Sequence, residues 1–200
     1  SAEPVFSADG KLLFFVSARS FSPTYGQTEF QHVYTDMSRI YFVTLAKDTK
    51  SPFAPKSDEV NAPETDTPSA KDKSDKKDAD KKESEEKVSV KVDERGIQSR
   101  IASLPISPSN YENLQSVGSK LYYGRRGSRD EKEKLLVYDL DERKETELGD
   151  VDGFEISNDG KKMLFSQAGS YAIVDLPSEK LDVKDRLKLD DMIVNLDRGA

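Results

Sequence analysis

The chain has 200 residues, and 38 acidic against 31 basic side chains give it a net charge of −7, so it lacks the cationic excess that nucleic acids and anionic membranes attract. It has no cysteine, which excludes disulfides and thiol nucleophiles, and one histidine, His32, which excludes a multi-histidine metal site. No apolar run reaches the length of a membrane-spanning helix. We therefore expect no membrane insertion, no nucleic-acid partner, no metal and no cofactor, and a soluble protein of either the cytoplasm or the periplasm.

The first part of the chain predicts two strands joined by a long aromatic connection. Lys11–Arg19 is apolar from Leu12 to Val16, a pattern typical of a strand buried on both faces. Arg39–Ala46 alternates polar and apolar residues and is a second strand. The connection between them, Ser20–Ser38, has no regular period but is rich in aromatic residues. We expect it to be an ordered loop packed on the body.

A charged segment divides the chain. Ser51–Val60 has two prolines and one large apolar residue, Phe53, and is predicted to lie extended on the surface. In Asn61–Lys87, 16 of 27 residues are charged and none is apolar and larger than alanine or proline. Such a segment buries too little to offset the entropy of ordering, so we predict a disordered tether, with local helix through Lys–acid pairs as the alternative.

After the tether the sequence returns to short β-forming runs separated by turn residues. Val88–Asp93 and Ser99–Leu104 are predicted strands around the turn at Glu94–Gly96. The remaining predicted strands are Tyr111–Val117, Lys120–Arg126, Lys134–Leu140, Thr146–Val151, Phe154–Ser157, Lys161–Gln167 and Tyr171–Leu176, with one more candidate in Leu187–Leu196.

One hairpin recurs three times, in Val5–Arg19, Leu114–Arg126 and Phe154–Gln167. Each copy reads as a strand, a turn, a lysine and a second strand, and Asp-Gly pairs supply the turn in the first and third copies. Aligned on Ser7, Ser116 and Ser157, the copies are 109 and 41 residues apart, and 41 residues is a normal length for a four-stranded propeller blade.

The spacing predicts an all-β fold: a β-propeller fragment of about three four-stranded antiparallel blades. The first blade would contain two insertions and the third would be incomplete. The predicted organisation is a blade with the aromatic insertion in residues 1–60, a disordered linker in 61–87, the rest of that blade and two further blades in 88–186, and a last strand with a link to a following domain in 187–200. Since three blades cannot close a ring, we expect the remaining blades to come from elsewhere.

Several long segments resemble one family. ARSFSPTYGQTEF and HVYTDMSRIYFVTLAKDTKSPFAPKSDEV, then VDERGIQSRIASLPISPSNYENLQSV, VYDLDERKETELGDVDGFEISNDGKK and DDMIVNLDRGA, resemble bacterial homologues of the tricorn protease. The resemblance covers nearly the whole chain except the tether. It implies the last blades of the second propeller, of the WD-repeat or TolB-like kind, in a large serine peptidase. The family's catalytic residues would lie beyond Ala200, so we expect no catalytic residue here.

The resemblance also implies a role: the propeller guides or filters oligopeptides to or from the catalytic core of the same protein. Further copies of the chain are a conceivable partner as well. Two other classes remain open, a protein–protein interaction scaffold and a stand-alone extracytoplasmic binding module. The whole protein is expected to be a hydrolase, while this chain by itself is not assigned a reaction.

The candidate ligand-binding residues are basic or aromatic. Gly124–Asp130 is the most basic segment of this acidic chain, and arginine forks bind carboxylates in bidentate fashion, so Arg125, Arg126 or Arg129 could hold a peptide C-terminus. The alternative is that these arginines are solvated or pair with Glu131 and Glu133. Tyr25 and His32 of the aromatic connection are candidates for contact with the same peptide, or else pack on the blade edge.

Other chemistries have weak support in the sequence. His32 with Asp36 and a serine would formally make a triad, but a serine nucleophile needs a base at hydrogen-bond distance, and sequence order does not identify one. The repeated serines are better explained as turn residues. Asp9 and Asp159 lack the surrounding ligand pattern of a calcium loop.

Overall fold

The computed structural model describes residues 1–20, 24–25, 32–33, 35–55, 90–183 and 185–189. These residues form thirteen strands and one short 3-10 helix, Ile97–Arg100, so the described chain is all-β as predicted. The strands are β1 (Ala2–Phe6), β2 (Leu12–Ser17), β3 (Thr24–Tyr25), β4 (His32–Val33), β5 (Arg39–Thr44), β6 (Ile101–Ser103), β7 (Tyr111–Val117), β8 (Lys120–Arg125), β9 (Glu133–Asp139), β10 (Lys144–Val151), β11 (Gly153–Ile156), β12 (Lys162–Gln167) and β13 (Ser170–Asp175).

Three antiparallel sheets contain all of these strands except the small β3–β4 pair. Sheet 1 has the order β1-β2-β5-β6, sheet 2 the order β10-β9-β8-β7, and sheet 3 the order β11-β12-β13. Sheets 1 and 2 are the predicted four-stranded units, and each follows the chain from one edge to the other. In the described residues sheet 3 has three strands. The segment MIVNL, a candidate for a further strand, lies outside the described residues, so the incompleteness of the last unit stays a prediction.

Sheet 2 is buried on both faces, and the alternation along β8 explains its sequence. Tyr122 packs in the core shared with sheet 3, whereas Leu121 and Tyr123 pack in the core shared with sheet 1. All three are essentially inaccessible to solvent. Successive side chains of a strand point to opposite faces, so a strand with two buried faces needs a continuous apolar run.

The outer faces of sheets 1 and 3 are less covered. In β2, Phe14 is fully buried against sheet 2, but Leu13 and Phe15 on the opposite face are only half-buried. β2 is therefore fully buried on the face toward sheet 2, as predicted, but only half-buried on its other face. On sheet 3, Leu164 and Ile173 face away from sheet 2 and are 39% and 53% exposed.

The first strands of the sheets lie side by side, which arranges the sheets as sectors. β1 packs next to β7. Between sheets 2 and 3, Asn113 of β7 donates its side-chain amide to the Phe154 carbonyl oxygen at 2.6 Å, and the Ile156 amide donates to the Gln115 side-chain oxygen at 2.9 Å. Packed sheets that meet at their first strands are the predicted propeller arrangement.

The repeated turns are built by the residues that the sequence singled out. In the first hairpin, Ser7 Oγ donates to Asp9 Oδ1 at 2.6 Å and accepts the Leu12 amide at 2.9 Å. Ser157 makes the same two bonds, to Asp159 and from the Lys162 amide, at 2.6 and 2.9 Å. These serines are therefore turn residues.

The second hairpin departs from the serine alignment. Ser116 lies within β7, paired with Leu121 of β8, and the chain turns through Gly118 and Ser119 alone. A two-residue turn lacks the Ser–Asp pair of the longer turns, so Ser116 is not the structural counterpart of Ser7 and Ser157.

Two predicted elements differ from the observed ones. Residues 90–93 have no strand pairing, and the Asp93 amide donates instead to the Leu45 carbonyl oxygen at 2.9 Å. Residues 51–55 form a turn instead of an extended segment, because Phe53 inserts between sheets 1 and 2 and packs on Phe42 and Tyr138. The predicted tether, residues 61–87, and the candidate strand MIVNL lie outside the described residues.

Candidate functional site

The most basic segment, Gly124–Asp130, lies at the end of β8 and in the connection to β9, and we call it the arginine loop. It is on the end of the sheets opposite to the repeated hairpin turns, because β8 runs from the Gly118 turn to the loop. Gly124 pairs with Glu112 of β7 and with Leu135 of β9, so the loop starts from the middle of sheet 2.

Arg125 is held by carboxylates of β10. Its guanidinium nitrogens lie 3.6 Å from a Glu145 oxygen and 3.9 Å from a Glu147 oxygen, and its side chain is 21% exposed. Glu145 also accepts the Tyr123 hydroxyl at 2.6 Å. Burial and the charge of Glu145 together hold the pKa of Tyr123 well above its usual value. Arg125 therefore ties β8 to the far edge of sheet 2.

Arg126 directly follows the last residue of β8 and is exposed. It donates to the Glu131 carbonyl oxygen at 3.3 Å, while its own amide donates to the Asn110 carbonyl oxygen at 3.0 Å. Arg125 pairs with Lys134 across the β8–β9 ladder, so the register brings Arg126 opposite Glu133.

Arg129 lies at the tip of the arginine loop. It is exposed and has no hydrogen bond or ion pair with any residue that the structure describes. The loop around it is well supported: the Gly127 amide donates to Asp130 Oδ2 at 2.8 Å and the Asp130 amide donates to the Gly127 carbonyl oxygen at 3.0 Å. Arg129 is thus presented on an ordered turn with its guanidinium free.

Asp36 joins the arginine loop to the aromatic connection. Its Oδ1 accepts the Ser128 amide at 2.9 Å and its Oδ2 accepts the Ser128 hydroxyl at 2.6 Å, across 92 residues of sequence. The side-chain amide of Asn110 also donates to it, at 3.5 Å. Asp36 has a φ of 54°, the left-handed conformation that Asp adopts more readily than most residues.

Tyr25 and His32 are directly paired in the β3–β4 hairpin. Their side chains lie outside the described part of the structure. Asp36 follows β4 after two intervening residues, so the connection that carries Tyr25 and His32 ends against the arginine loop. The structure therefore brings Arg126 and Arg129 close to this connection, and separates Arg125 from them.

The sequence indicates Glu133 only as an ion-pair partner of the nearby arginines, whereas the structure places it next to a second acid, Glu112. A Cβ built on Gly124 would lie 1.9 Å from Glu133 Oε1 and 3.4 Å from Glu112 Cγ, so the two acidic side chains converge above a glycine. Burial, and then the charge and hydrogen bond of Glu112, raise the pKa of Glu133 to about 6. Only the pairing register identifies this contact, because Glu112 and Glu133 are far apart in sequence.

A separate cavity of about 950 Å³ lies at the other end of the sheets. It is lined by the first hairpin turn, by Gly118 and Ser119, and by the segment after β5. Two of its lysines face acids, Lys11 toward Asp9 at 3.3 Å and Lys91 toward Asp48 at 3.6 Å. Of the predicted ligand-binding residues whose side chains the structure describes, Arg125, Arg126 and Arg129, none lines it.

Two general findings concern the described residues only. Among them, no three His, Cys, Asp or Glu side chains are placed to hold a metal ion. No helix in the described ranges is both long and apolar enough to cross a membrane.

A family model and related sequences both match this chain to tricorn proteases. Residues 1–177 match the family model described as the tricorn protease second beta propeller domain. The chain is 32% identical over 193 residues to tricorn protease homolog 1 of Streptomyces coelicolor, covering 88% of this chain and 17% of that protein. It is 26% identical over 182 residues to the tricorn protease homolog of Saccharolobus solfataricus, covering 86% of this chain and 15% of the relative.

A solved structure supports the same fold. The crystal structure of the tricorn protease matches with a TM-score of 0.60 at 19% sequence identity, over 86% of this chain and 16% of that one. The chain thus spans about a sixth of the length of the relatives it matches. The family model, the related sequences and the three packed sheets agree, and the chain belongs to the family of the second β-propeller domain of tricorn proteases.

Proposed function

We propose that this chain is a non-catalytic propeller segment of a tricorn-like serine peptidase, and that its arginine loop guides oligopeptides to or from the catalytic core. The resemblance of the chain to tricorn protease homologues supports the first half of this proposal. The second half is carried by one observation: Arg129, on a loop that Asp36 and Asp130 hold in place, has no hydrogen bond or ion pair with a described residue.

The chemistry of the loop fits a peptide carboxylate. Arg129 and Arg126 are both exposed and lie three residues apart in the same connection. A guanidinium presents paired N–H donors that match a carboxylate, and a loop fixed before binding loses little conformational entropy when the ligand arrives. Tyr25 and His32, in the connection that Asp36 ties to this loop, are proposed to contact the peptide beside its terminus.

Arg125 has a different proposed part in the same function. Since Glu145 and Glu147 already occupy its guanidinium, we assign it to holding β8 and β10 together beneath the loop. This assignment leaves Arg126 and Arg129 as the two arginines proposed to bind the peptide carboxylate, with Tyr25 and His32 beside them.

The remaining blades of the same protein are the proposed partners of the outer sheet faces. Leu164 pairs with Ile173 on sheet 3 in the position that Phe14 and Phe42 occupy on sheet 1. Phe14 and Phe42 are fully buried against sheet 2, whereas Leu164 and Ile173 are exposed. A further sheet packed on sheet 3 would bury them in the same way. The scaffold alternative predicts instead that a separate folded protein covers this face.

A binding experiment with matched peptides tests the proposal. Acetyl-tetra-alanine with a free carboxylate and its C-terminal amide would be titrated into the protein, with binding followed by calorimetry. We expect the acid to bind about tenfold more tightly than the amide, and Arg129→Ala to remove most of this difference. Arg95→Ala, which removes an exposed arginine from a different turn, is the matched control. Equal affinity for the acid and the amide would reject the carboxylate-guiding role.

A further inference from the structure

The Glu133 carboxyl group lies near Arg126, one of the two arginines proposed to bind a peptide carboxylate. The β8–β9 ladder ends with the pair Arg125 and Lys134, so Arg126 and Glu133 lie just beyond it, and the charge of Arg126 acts on Glu133. Glu133 shares the sheet face of Leu135, which turns toward sheet 3. Glu112 of β7 reaches the same place from the other side of Gly124. The charged groups that act on Glu133 are thus Glu112 from β7, Arg126 from the end of β8, and Asp152 from the connection between β10 and β11.

Gly124 makes the close approach of the two acids possible. With a side chain at this position, a Cβ would overlap the Glu133 carboxyl, whose nearer oxygen is 1.9 Å from the ideal Cβ position. The φ of Gly124 is not in the left-handed region, so backbone conformation does not require the glycine. The glycine matters because it has no side chain and so leaves room above β8 for the carboxyl groups of Glu112 and Glu133.

The two aspartates that hold the arginine loop, Asp36 and Asp130, do not act in this way. Both oxygens of Asp36 accept hydrogen bonds from Ser128, and Asp130 accepts the Gly127 amide. Their charges are already engaged by donors of the loop. Glu133 instead has a second acid as a neighbour, and bringing two carboxylates together favours the uptake of one proton.

We propose that Glu133 regulates carboxylate binding at Arg126 through its own protonation. When Glu133 is ionised, its charge competes with the ligand carboxylate for the field of Arg126 and repels it. When Glu133 binds a proton and donates it to Glu112, one negative charge beside Arg126 is removed. Affinity for an anionic peptide terminus therefore rises as the pH falls through the range in which Glu133 titrates. This inference rests on the proposed function.

Linkage also requires the reverse effect. If protonation of Glu133 favours binding of the peptide carboxylate, the bound carboxylate must raise the pKa of Glu133 by the corresponding amount. A charge separated from the ligand by one arginine side chain near the protein surface changes affinity by about threefold to tenfold. The effect is large enough to measure and small enough to leave binding detectable at both ends of the pH range.

The test measures the affinity of acetyl-tetra-alanine and of its C-terminal amide from pH 5 to pH 7.5. Every protein compared, including the one called wild type, carries His32→Gln, so that the charge of an imidazole near the peptide does not change over this range. We expect the acid to bind about threefold to tenfold more tightly at pH 5, and the amide to change little. Glu133→Gln should bind the acid at pH 7.5 as wild type does at pH 5, without pH dependence. Glu131→Gln, the same change two residues away, is the matched control and should keep the wild-type profile. A pH dependence that persists in Glu133→Gln would overturn the proposal.

A second measurement separates this proposal from the proposed function. The Glu133 side-chain carboxyl and the Arg126 Nε–H resonances would be followed by NMR through the same pH range without peptide. We expect the Arg126 Nε–H chemical shift to change with the same midpoint pH as the Glu133 carboxyl resonance. Gly124→Ala, which pushes the two carboxyl groups apart, should lower that midpoint pH. If Arg126 does not follow Glu133, the regulation is rejected even if peptides bind. If Arg126 follows Glu133 but the acid and amide bind equally, the coupling stands and the proposed function fails.

Discussion

Individual residues account for the shape of the repeated turns. Gly10 and Gly160 have φ values of 68° and 67°, a conformation that costs a residue with a Cβ about 1–2 kcal/mol. Asp159 completes its turn by accepting the Ser157 hydroxyl, and this hydrogen bond lowers the pKa of Asp159. The sequence predicts the Asp-Gly turns and the turn role of Ser7 and Ser157, because the residues involved lie within five positions of each other.

Two glycines separate the effect of backbone conformation from that of packing. Gly160→Ala places a Cβ 2.7 Å from Val117 Cγ1 of sheet 2, whereas Gly118→Ala, at a φ of 57°, meets nothing within 4 Å. Both variants bear the conformational cost, and only the first has to displace a neighbouring sheet. We expect Gly160→Ala to destabilise the protein by about 1 kcal/mol or more beyond Gly118→Ala, measured by denaturant unfolding. Equal costs would mean that the turn does not contact sheet 2.

Glu133 should make stability depend on pH. Its pKa is raised in the folded protein from about 4.5 to about 6, so its contribution to stability is complete below about pH 4.5 and is lost as the pH rises to about 6. Melting temperature should therefore fall over this interval by more in wild type than in Glu133→Gln. A series of thermal scans checks this, with Glu131→Gln as control. Parallel curves for wild type and Glu133→Gln would contradict the raised pKa.

At the scale of elements, the segment after β5 joins two sheets. Phe53 packs with its ring centre 5.5 Å from that of Phe42 and 6.0 Å from that of Tyr138. Arg143, in the β9–β10 turn, lies over the Phe53 ring at 5.8 Å and donates to the Ala54 carbonyl oxygen. The two prolines and the single large apolar residue of Ser51–Val60 predict an extended surface segment. The segment instead forms a turn because Phe53 packs between Phe42 of sheet 1 and Tyr138 of sheet 2.

Removal of this contact should weaken the packing of sheet 1 on sheet 2. Phe53 is half-buried, so Phe53→Ala is expected to cost about 2 kcal/mol, below the range for a fully buried phenylalanine. Phe6→Ala is the matched control, because Phe6 is 53% exposed and its loss should cost less than about 0.5 kcal/mol. Chemical denaturation measures both. Similar losses in the two variants would show that Phe53 does not join the sheets.

At the scale of the molecule, the chain is a set of sheets with two complete interfaces and two outer faces. The cores between sheets 1 and 2 and between sheets 2 and 3 use equivalent positions of each strand. The same positions on sheet 3, Leu164 and Ile173, are exposed. Repetition of one packing pattern explains why the exposed residues are apolar: their counterparts in the other sheets are core residues.

A lysine placed on the outer face of sheet 3 tests whether a further blade covers that face. In the 200-residue chain alone, Ile173→Lys should change stability by less than about 0.5 kcal/mol, since Ile173 is exposed. In a longer protein whose next blade covers sheet 3, the same change would bury an unpaired ammonium and should cost about 3 kcal/mol or more. Lys161→Ala, at the exposed turn, is the control in both. An equally small effect in both proteins would argue against a covering blade.

The sequence by itself determined the β class, the repeated hairpins, most strand positions and the three larger sheets, but not the small β3–β4 pair. These depend on local patterns: Asp-Gly turns, two-residue alternation, and apolar runs where both faces are buried. The tertiary structure alone decided which arginine has no partner among the described residues, which carboxylate lies near Arg126, and where Phe53 packs. Asp36 and Ser128 are 92 residues apart, and Glu112 meets Glu133 only through the β7–β8–β9 register. Contacts of this kind depend on how separate strands are aligned, which short-range residue patterns do not specify.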